Sequence, residues 1–264
     1  MLKYSLKRLI RSLLTLVILI TVIFALLRLM PEEGYFSNYE KMSPQQIENG
    51  LRELGLKDPL YIQVGRFFKQ LLQGDLGVSH RYRINYPITQ IIEPKMAVSM
   101  KFGLICILVS LPLGMGLGAL MARSKGRLAD KLGNAYIVFI QAVPNAVYFI
   151  AIQLYGSSWF GLPLLYDEAK ASSMILPIIS LALPSISSYA MWLRRYMVDE
   201  SNKDYIRLAR AKGLPSGQIS RRHVFRNAMV PLVQYIPNSI LFTLMGSLYV
   251  ESLYSVPGMG GLLV

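Results

Sequence analysis

An all-α integral membrane protein, a polytopic helical bundle, is the fold class that this 264-residue sequence predicts. Three observations carry that reading. The chain is 53% hydrophobic and only 16% charged, where soluble domains carry about a quarter charged residues. Its charged residues leave five long windows empty, residues 12–27, 102–122, 132–166, 171–193 and 227–250, and a helix crosses the hydrocarbon core with about 20 mostly apolar residues. The net charge of +13 is confined to alternate connections between those windows. A soluble enzyme is excluded on composition. Nucleic-acid binding, which a basic chain invites, is excluded because a mean hydropathy of +0.39 leaves little solvated basic surface. Cys106 is the one cysteine, so no intrachain disulfide forms.

The charge arithmetic also gives an orientation. The N-terminus, residues 122–133 and residues 194–230 hold 17 Lys or Arg against four acidic residues, while all the other charges sum to zero. Basic connections stay in the cytoplasm, so the N-terminus is expected there and the whole excess marks one side of the membrane.

The elements then follow in order. The first window is short, but Leu29 and Met30 extend it if Arg28 snorkels to the headgroups. Lys3, Lys7, Arg8 and Arg11 precede it, as in a signal peptide, yet no small-residue cleavage site follows. Residues 1–30 are therefore read as an interfacial segment and first span. Residues 31–95 form an extracytoplasmic region with eight basic and eight acidic side chains and a helix expected over Ser43–Leu54. They are read as a cap or docking face. Residues 96–264 form the core domain, whose cytoplasmic loop is 194–230. In the second span Gly114, Gly118 and Ala122 recur at helical spacing, a stripe that lets another helix approach closely. Pro112, Pro144, Pro177, Pro184 and Pro237 are expected to interrupt spans. Gln141, Asn145 and Tyr148 are placed on one face of the third span, and Gln234, Asn238 and Ser239 cluster in the fifth. These polar groups either line a hydrated route for a polar solute or bond between helices.

Some chemistry is missing from the windows. None has an ionisable residue in its middle, which speaks against a carrier coupled to protons or sodium through carboxylates. His80 and His223 lie outside them, so no Ser–His pair forms at depth. Two separate histidines and one cysteine make no metal site, and no phosphate-binding loop motif occurs. Uphill movement of a solute would need energy from another chain.

The most informative stretch is RRYMVDESNKDYIRLARAKGLPSGQISRRHVFRNAMV, residues 194–230. A helix is expected over Asp199–Lys212, with Tyr205, Leu208 and Ala209 near one face and Gly213 as a left-handed stop. Ser216 is a plausible N-cap for a second helix over Gln218–Asn227. Helix, glycine stop and helix suit a docking surface for a protein, whereas a purely basic loop suits anionic lipid.

DYIRLARAKGL followed by RRHVFRNAMVP resembles the cytoplasmic EAA loop of membrane subunits of ATP-binding cassette importers, in the form used by the dipeptide, oligopeptide and nickel permease family (B-type subunit). The general pattern falls on Arg207, Leu208, Ala209 and Gly213, with Arg207 in place of Glu and Leu208 in place of the first Ala. The family's Arg-Ala-Lys-Gly falls on Arg210, Ala211, Lys212 and Gly213. LGLKDPLYIQVGRFFKQLLQGDLGVS, Leu54–Ser79, is similar to the family's first external loop, and SLYVESLYSVPGMGGLL, Ser247–Leu263, to its segment after the fifth span. The chain departs from the family at Met30-Pro31-Glu32-Glu33-Gly34, where Pro-Gly-Asp-Pro is common. The family has six spans; five are expected here and the sixth is missing, the sequence stopping at Val264 within a longer protein or in a truncated form.

The resemblance implies a multi-pass permease subunit of the cytoplasmic membrane. It would work by alternating access with a homologous second permease, two ATPases and an extracytoplasmic solute-binding protein, in a lipid bilayer and with no nucleic acid. The chain itself would be no enzyme and bind no cofactor or metal, ATP and Mg being held by the partner ATPases. Coupling is expected through Asp204, Tyr205, Arg207, Ala209, Arg210, Ala211, Lys212 and Gly213, on a helix over 199–214, and a path along Gln141, Asn145, Tyr148, Gln234 and Asn238. Short peptides are the expected cargo because amides on spans three and five suit peptide backbones. Nickel or a nickel complex, and a non-transporting receptor or scaffold, are the alternatives.

Overall fold

The computed structural model describes residues 2–36, 38–80, 82–245 and 247–262. The elements in chain order are α1 (Leu2–Arg28), α2 (Pro44–Glu53), α3 (Leu60–Leu72), the two-residue strands β1 (Val78–Ser79) and β2 (Tyr86–Pro87), α4 (Ile88–Arg123), α5 (Leu128–Ala142), α6 (Asn145–Phe160), α7 (Ile175–Ser201), α8 (Asp204–Ala211), α9 (Ser216–Gln218), a π-helix over Ile219–Phe225, α10 (Arg226–Val233), α11 (Ile236–Met245) and α12 (Leu248–Leu253). The chain forms two compact units, Met1–Ile92 and Glu93–Val264.

In the first unit, α1 is basic at its start and apolar from Leu13 onward, and its most hydrophobic stretch is uncovered among the described residues of that unit. A helix of that kind is solvated by lipid or by another subunit. Near its end, Phe24 packs on Phe67 of α3 with ring centroids 4.9 Å apart. The loop helix expected over Ser43–Leu54 is α2. Its start is a capping box: Ser43 Oγ accepts from the Gln46 amide, and Gln46 Oε1 from the Ser43 amide at 2.8 Å, which satisfies two amides that a helix start leaves open. β1 and β2 pair antiparallel, Val78 opposite Pro87 and Ser79 opposite Tyr86.

The second unit is a helical bundle built on α7. Among the described residues, three helical stretches, Lys3–Arg28, Ile88–Arg123 and Ala171–Ser201, are each long and apolar enough to cross a membrane, and α5 with α6 makes a fourth candidate. The third span expected over 132–166, with an interruption at Pro144, is this pair, bent by 105°. The cause is local. Pro144 has no N–H to give and forces Val143 out of helical geometry to φ −86°, ψ 130°, as residues before proline are forced. The fifth window is divided too, with a turn at Gln234–Tyr235 between α10 and α11. Of the prolines expected to interrupt spans, only Pro112 and Pro184 lie in helix interiors beyond the first turn. Pro144 is an N-cap, while Pro177 and Pro237 sit in the first turns of α7 and α11, where a missing N–H costs nothing.

The small-residue stripe on α4 is used inside this chain. A Cβ added at Gly114 would lie 2.6 Å from Tyr189 Cβ, and one at Gly118 2.6 Å from the Ala190 carbonyl oxygen, so α4 and α7 touch backbone to backbone. At the end of that contact, Arg194 of α7 donates twice to Asp130 of α5, Nε to Oδ1 at 2.5 Å and Nη2 to Oδ2 at 2.8 Å. Gly126 N and Asn134 Nδ2 also donate to the same carboxylate. The carboxylate is only 5% exposed, and a buried charge persists when such a full set of partners replaces water.

Gly118→Ala is expected to cost about 1–3 kcal/mol, the usual range for overpacking, because the new methyl meets a backbone carbonyl that cannot rotate away. Gly116→Ala, where an added Cβ meets nothing within 4 Å, is expected to be tolerated. Thermal unfolding of the two purified variants in detergent checks both.

Candidate functional site

The loop over residues 194–230 is where the predicted coupling residues meet. The helix starts later than expected: Asp199 belongs to the end of α7, which runs to Ser201, and after Asn202 and Lys203 a separate α8 spans Asp204–Ala211. The boundary moves because Lys203 takes extended geometry, φ −71° and ψ 149°, and separates two helices that good helix formers had seemed to join. Gly213 does end α8, with φ +76°. The Leu214 amide bonds the Ala209 carbonyl at 3.2 Å and the Gly213 amide the Arg210 carbonyl at 2.9 Å. This is the paired closure of a Schellman motif.

The second loop helix also differs. Ser216 is not its cap but the first residue of α9, which runs through the π-helix into α10. The loop thus enters the fifth span without a break until Gln234–Tyr235. Wide π turns of this sort often mark functional positions.

α8 has an inner and an outer face. Ile206 is fully buried and Ala209 is 7% exposed, packed with Leu193 and Met197 of α7, Val224 of the π-helix, and Ala228 and Leu232 of α10. Burial of an isoleucine side chain contributes about 1.5–3 kcal/mol. Ala209 is therefore an anchor rather than a surface group, and it does not share a face with Tyr205 and Leu208, which are exposed. Arg207, Arg210, Ala211, Lys212 and Gly213 are exposed as well, as is Asp204, which pairs with Arg207 at 3.3 Å. Ile206 was missed in the sequence because its partners lie 9 to 26 residues away in the chain.

A hydroxyl joins α8 to its neighbours. Tyr205 Oη donates to Glu200 Oε1 on α7 and accepts from Asn227 Nδ2 on α10 at 2.7 Å. Burial, and then the Glu200 carboxylate, push the Tyr205 hydroxyl above its ordinary pKa, so it stays a neutral donor at physiological pH. Glu200 is marked in the sequence by no motif, and Asn227 only as one residue of the family-like run RRHVFRNAMVP.

The predicted path residues do not come together as one set. The bend at Pro144 puts Gln141 on α5 and Asn145 and Tyr148 on α6, so they share no helical face. Gln141 Nε2 contacts Met191 Sδ at 3.4 Å, and the buried Tyr148 donates to Asn145 Oδ1 at 2.8 Å. Gln234, at the end of α10, and Asn238, in α11, are exposed. Ser239 turns inward to Tyr189 of α7, with 3.2 Å between the oxygens.

One charged group of the family-like segment after the fifth window is given no role by the sequence. Glu251 of α12 is 4% exposed. Its Oε1 accepts from Ser99 Oγ at 2.7 Å and from the Ser247 amide at 3.3 Å, and its Oε2 from the Gly260 amide at 2.5 Å. The Met259 amide donates to the same Ser99 oxygen at 2.8 Å. A Cβ at Gly258 would collide with this carboxylate. The Pro-Gly-Met-Gly segment is thus clasped to α4 by a carboxylate, with no cation paired to it among the described residues.

Comparison with known proteins places this architecture. Residues 114–264 match the family model described as "Binding-protein-dependent transport system inner membrane component", and residues 1–85 its N-terminal companion. The oligopeptide transport system permease protein OppB of Salmonella typhimurium is 31% identical over 273 residues, covering 100% of this chain and 86% of that protein. The dipeptide transport system permease protein DppB of Lactococcus lactis subsp. cremoris is 32% identical over 260 residues, covering 98% and 85%. Among solved structures, an amino acid ABC transporter with histidines has the same fold, with a TM-score of 0.54 at 18% identity over 66% of this chain and 77% of that one. Proteins of this kind are permease subunits and not themselves enzymes. The chain belongs to the family of binding-protein-dependent transport system inner membrane components, as a multi-pass permease subunit of an ATP-binding cassette importer.

Proposed function

We propose that this permease carries short peptides and takes its drive from partner ATPases through α8. The observation that carries the coupling role is the seating of Ile206 and Ala209 in the core shared by α7, the π-helix and α10. A load applied to the outer face of α8, where Arg207, Leu208 and Arg210 are exposed, passes into two spans as rigid-body motion. The peptide cargo is supported by relatives named for oligopeptide and dipeptide transport.

In this reading a second, homologous permease completes the path and two ATPases hold ATP and Mg; this chain holds no cofactor. A solute-binding protein delivers cargo to the face formed by residues 31–95. The confined positive charge sets the N-terminus and α8 in the cytoplasm. Gln141, Asn145, Gln234 and Asn238 are exposed on span helices of this chain. Amides are costly against lipid, and a wet path shared with the second permease would hydrate them.

Two outcomes follow. Gly213→Val is expected to break the closure of α8, since a left-handed residue with a Cβ costs about 1–2 kcal/mol. Uptake and cargo-stimulated ATPase activity should fall several-fold at unchanged membrane abundance, and Gly213→Asn, which tolerates this geometry, should retain most activity. The complete transporter in proteoliposomes is expected to accumulate labelled di- or oligopeptides with ATP. Accumulation of nickel alone would replace the peptide reading, and accumulation of neither would favour a non-transporting role.

A further inference from the structure

The first unit holds a cavity of about 560 Å³ beside the last turn of α1. Phe24, Leu27 and Arg28 of α1 line one side of it, and Gln63, Arg66 and Phe67 of α3 another. Glu53, at the end of α2, and Val78 of β1 also border it. A volume of this order holds a small molecule or the head of a larger one.

The lining combines an oriented cation, an anion and an unused acceptor. Arg28 lies over the Phe24 ring, its Cζ 4.8 Å from the centroid, and Phe24 packs in turn on Phe67. Stacking of this kind orients a guanidinium while leaving its N–H groups available at the edge. Arg66 is already held by Asp58 at 2.6 Å, but neither Arg28 nor Glu53 joins an ion pair among the described residues. Gln63 is 7% exposed. Its Nε2 donates to the Leu56 and Asp58 carbonyls, at 3.3 and 2.7 Å, and its buried Oε1 has no donor among the described residues. A buried acceptor left in that way is unfavourable, and a donor brought into the cavity relieves it.

Position selects the ligand. The apolar run of α1 ends at Leu27 and Arg28 follows, so the cavity stands where hydrocarbon gives way to headgroups. On the same stretch Ile23, Leu26 and Leu27 are exposed, an apolar surface that acyl chains cover. From these observations we propose that the cavity binds the headgroup of a phosphatidylethanolamine molecule whose acyl chains lie along α1. The phosphate pairs with Arg28. The ammonium, a donor of three hydrogen bonds, pairs with Glu53 and supplies Gln63 Oε1. A phosphatidylglycerol headgroup offers Glu53 no cation, and a choline headgroup has no N–H for either oxygen. Such a lipid ties the end of α1 and the face of α3 to the bilayer surface, whatever cargo the transporter carries.

The occupant is identified by photo-cross-linking. The photoreactive residue p-benzoylphenylalanine replaces Val78, which lines the cavity and is partly exposed. In a second sample it replaces Leu19, on the open surface of α1, as a reporter of bulk lipid. The assembled transporter is reconstituted in vesicles of equal parts phosphatidylethanolamine, phosphatidylglycerol and phosphatidylcholine, with the solute-binding protein and labelled peptide present. After irradiation, mass spectrometry of this chain identifies what is attached. Relative to position 19, adducts at position 78 should favour phosphatidylethanolamine over each other lipid by about fivefold, the factor that one charge-assisted bond supplies at a partly exposed site. Glu53→Gln should bring phosphatidylethanolamine and phosphatidylglycerol to parity. Arg28→Gln should lower the adducts of all three lipids severalfold, and neither variant should alter those at position 19. Lipid adducts in the same proportions at both positions would overturn the proposal. So would attachment of the binding protein or the peptide in place of lipid, or a preference unchanged by Glu53→Gln, a variant at an exposed helix end. Peptide accumulation does not enter these ratios, so this proposal and the peptide reading fail separately.

Discussion

The seat beneath α8 is the contact on which the rest of the structure depends. Ile206 and Ala209 are held by residues of α7, the π-helix and α10, so α8 is pinned on one side and open on the other. Apolar burial of this kind is non-directional and fixes distance without fixing chemistry. Direction is supplied by Tyr205, whose hydroxyl ties the same helix to Glu200 and Asn227. Together these make α8 part of the packing of α7 and α10 rather than an appendage.

Around that seat, charge is spent only where water or a full shell of partners is at hand. Asp130 and Arg194 close the bundle at its basic end, where the carboxylate receives four different donors. At the other end Glu251 is clasped by Ser99, Ser247 and Gly260. Between them the described part of the bundle is held by close backbone contact at Gly114 and Gly118 and by hydroxyls. Hydroxyl pairs such as Tyr189 with Ser239 and Ser180 with Tyr254 are weak enough to exchange.

How much of this was legible in the sequence depended on range. α1, α4 and α7 are visible as unbroken apolar runs, because lipid demands such runs of any spanning helix. The Gly213 stop and the α2 helix are visible because caps are local in sequence. The bend at Pro144 was only half legible: the proline announces a break, but not that the two halves turn by 105° and part Gln141 from Asn145 and Tyr148. The limits of α8 were misplaced because residues 199–203 have ordinary helix propensity and a backbone turn at Lys203 overrides it. Least legible were the pairings set by the tertiary fold. Ser99 with Glu251, separated by 152 positions, and Tyr189 with Ser239, separated by 50, carry no local mark, and the inward face of α8 shows only once α7 and α10 are in place.

The central claim, that α8 moves with α7 and α10 as one body, is open to a single distance measurement. Spin labels at Lys203, beside the start of α8, and at the exposed Val230 of α10 can be followed by pulsed electron resonance in the assembled, transport-competent complex, with and without ATP. The account requires the distance distribution between them to be the same in both states while the transporter turns over. A distribution that shifts or splits when ATP binds would mean that α8 slides on its seat, and would contradict it.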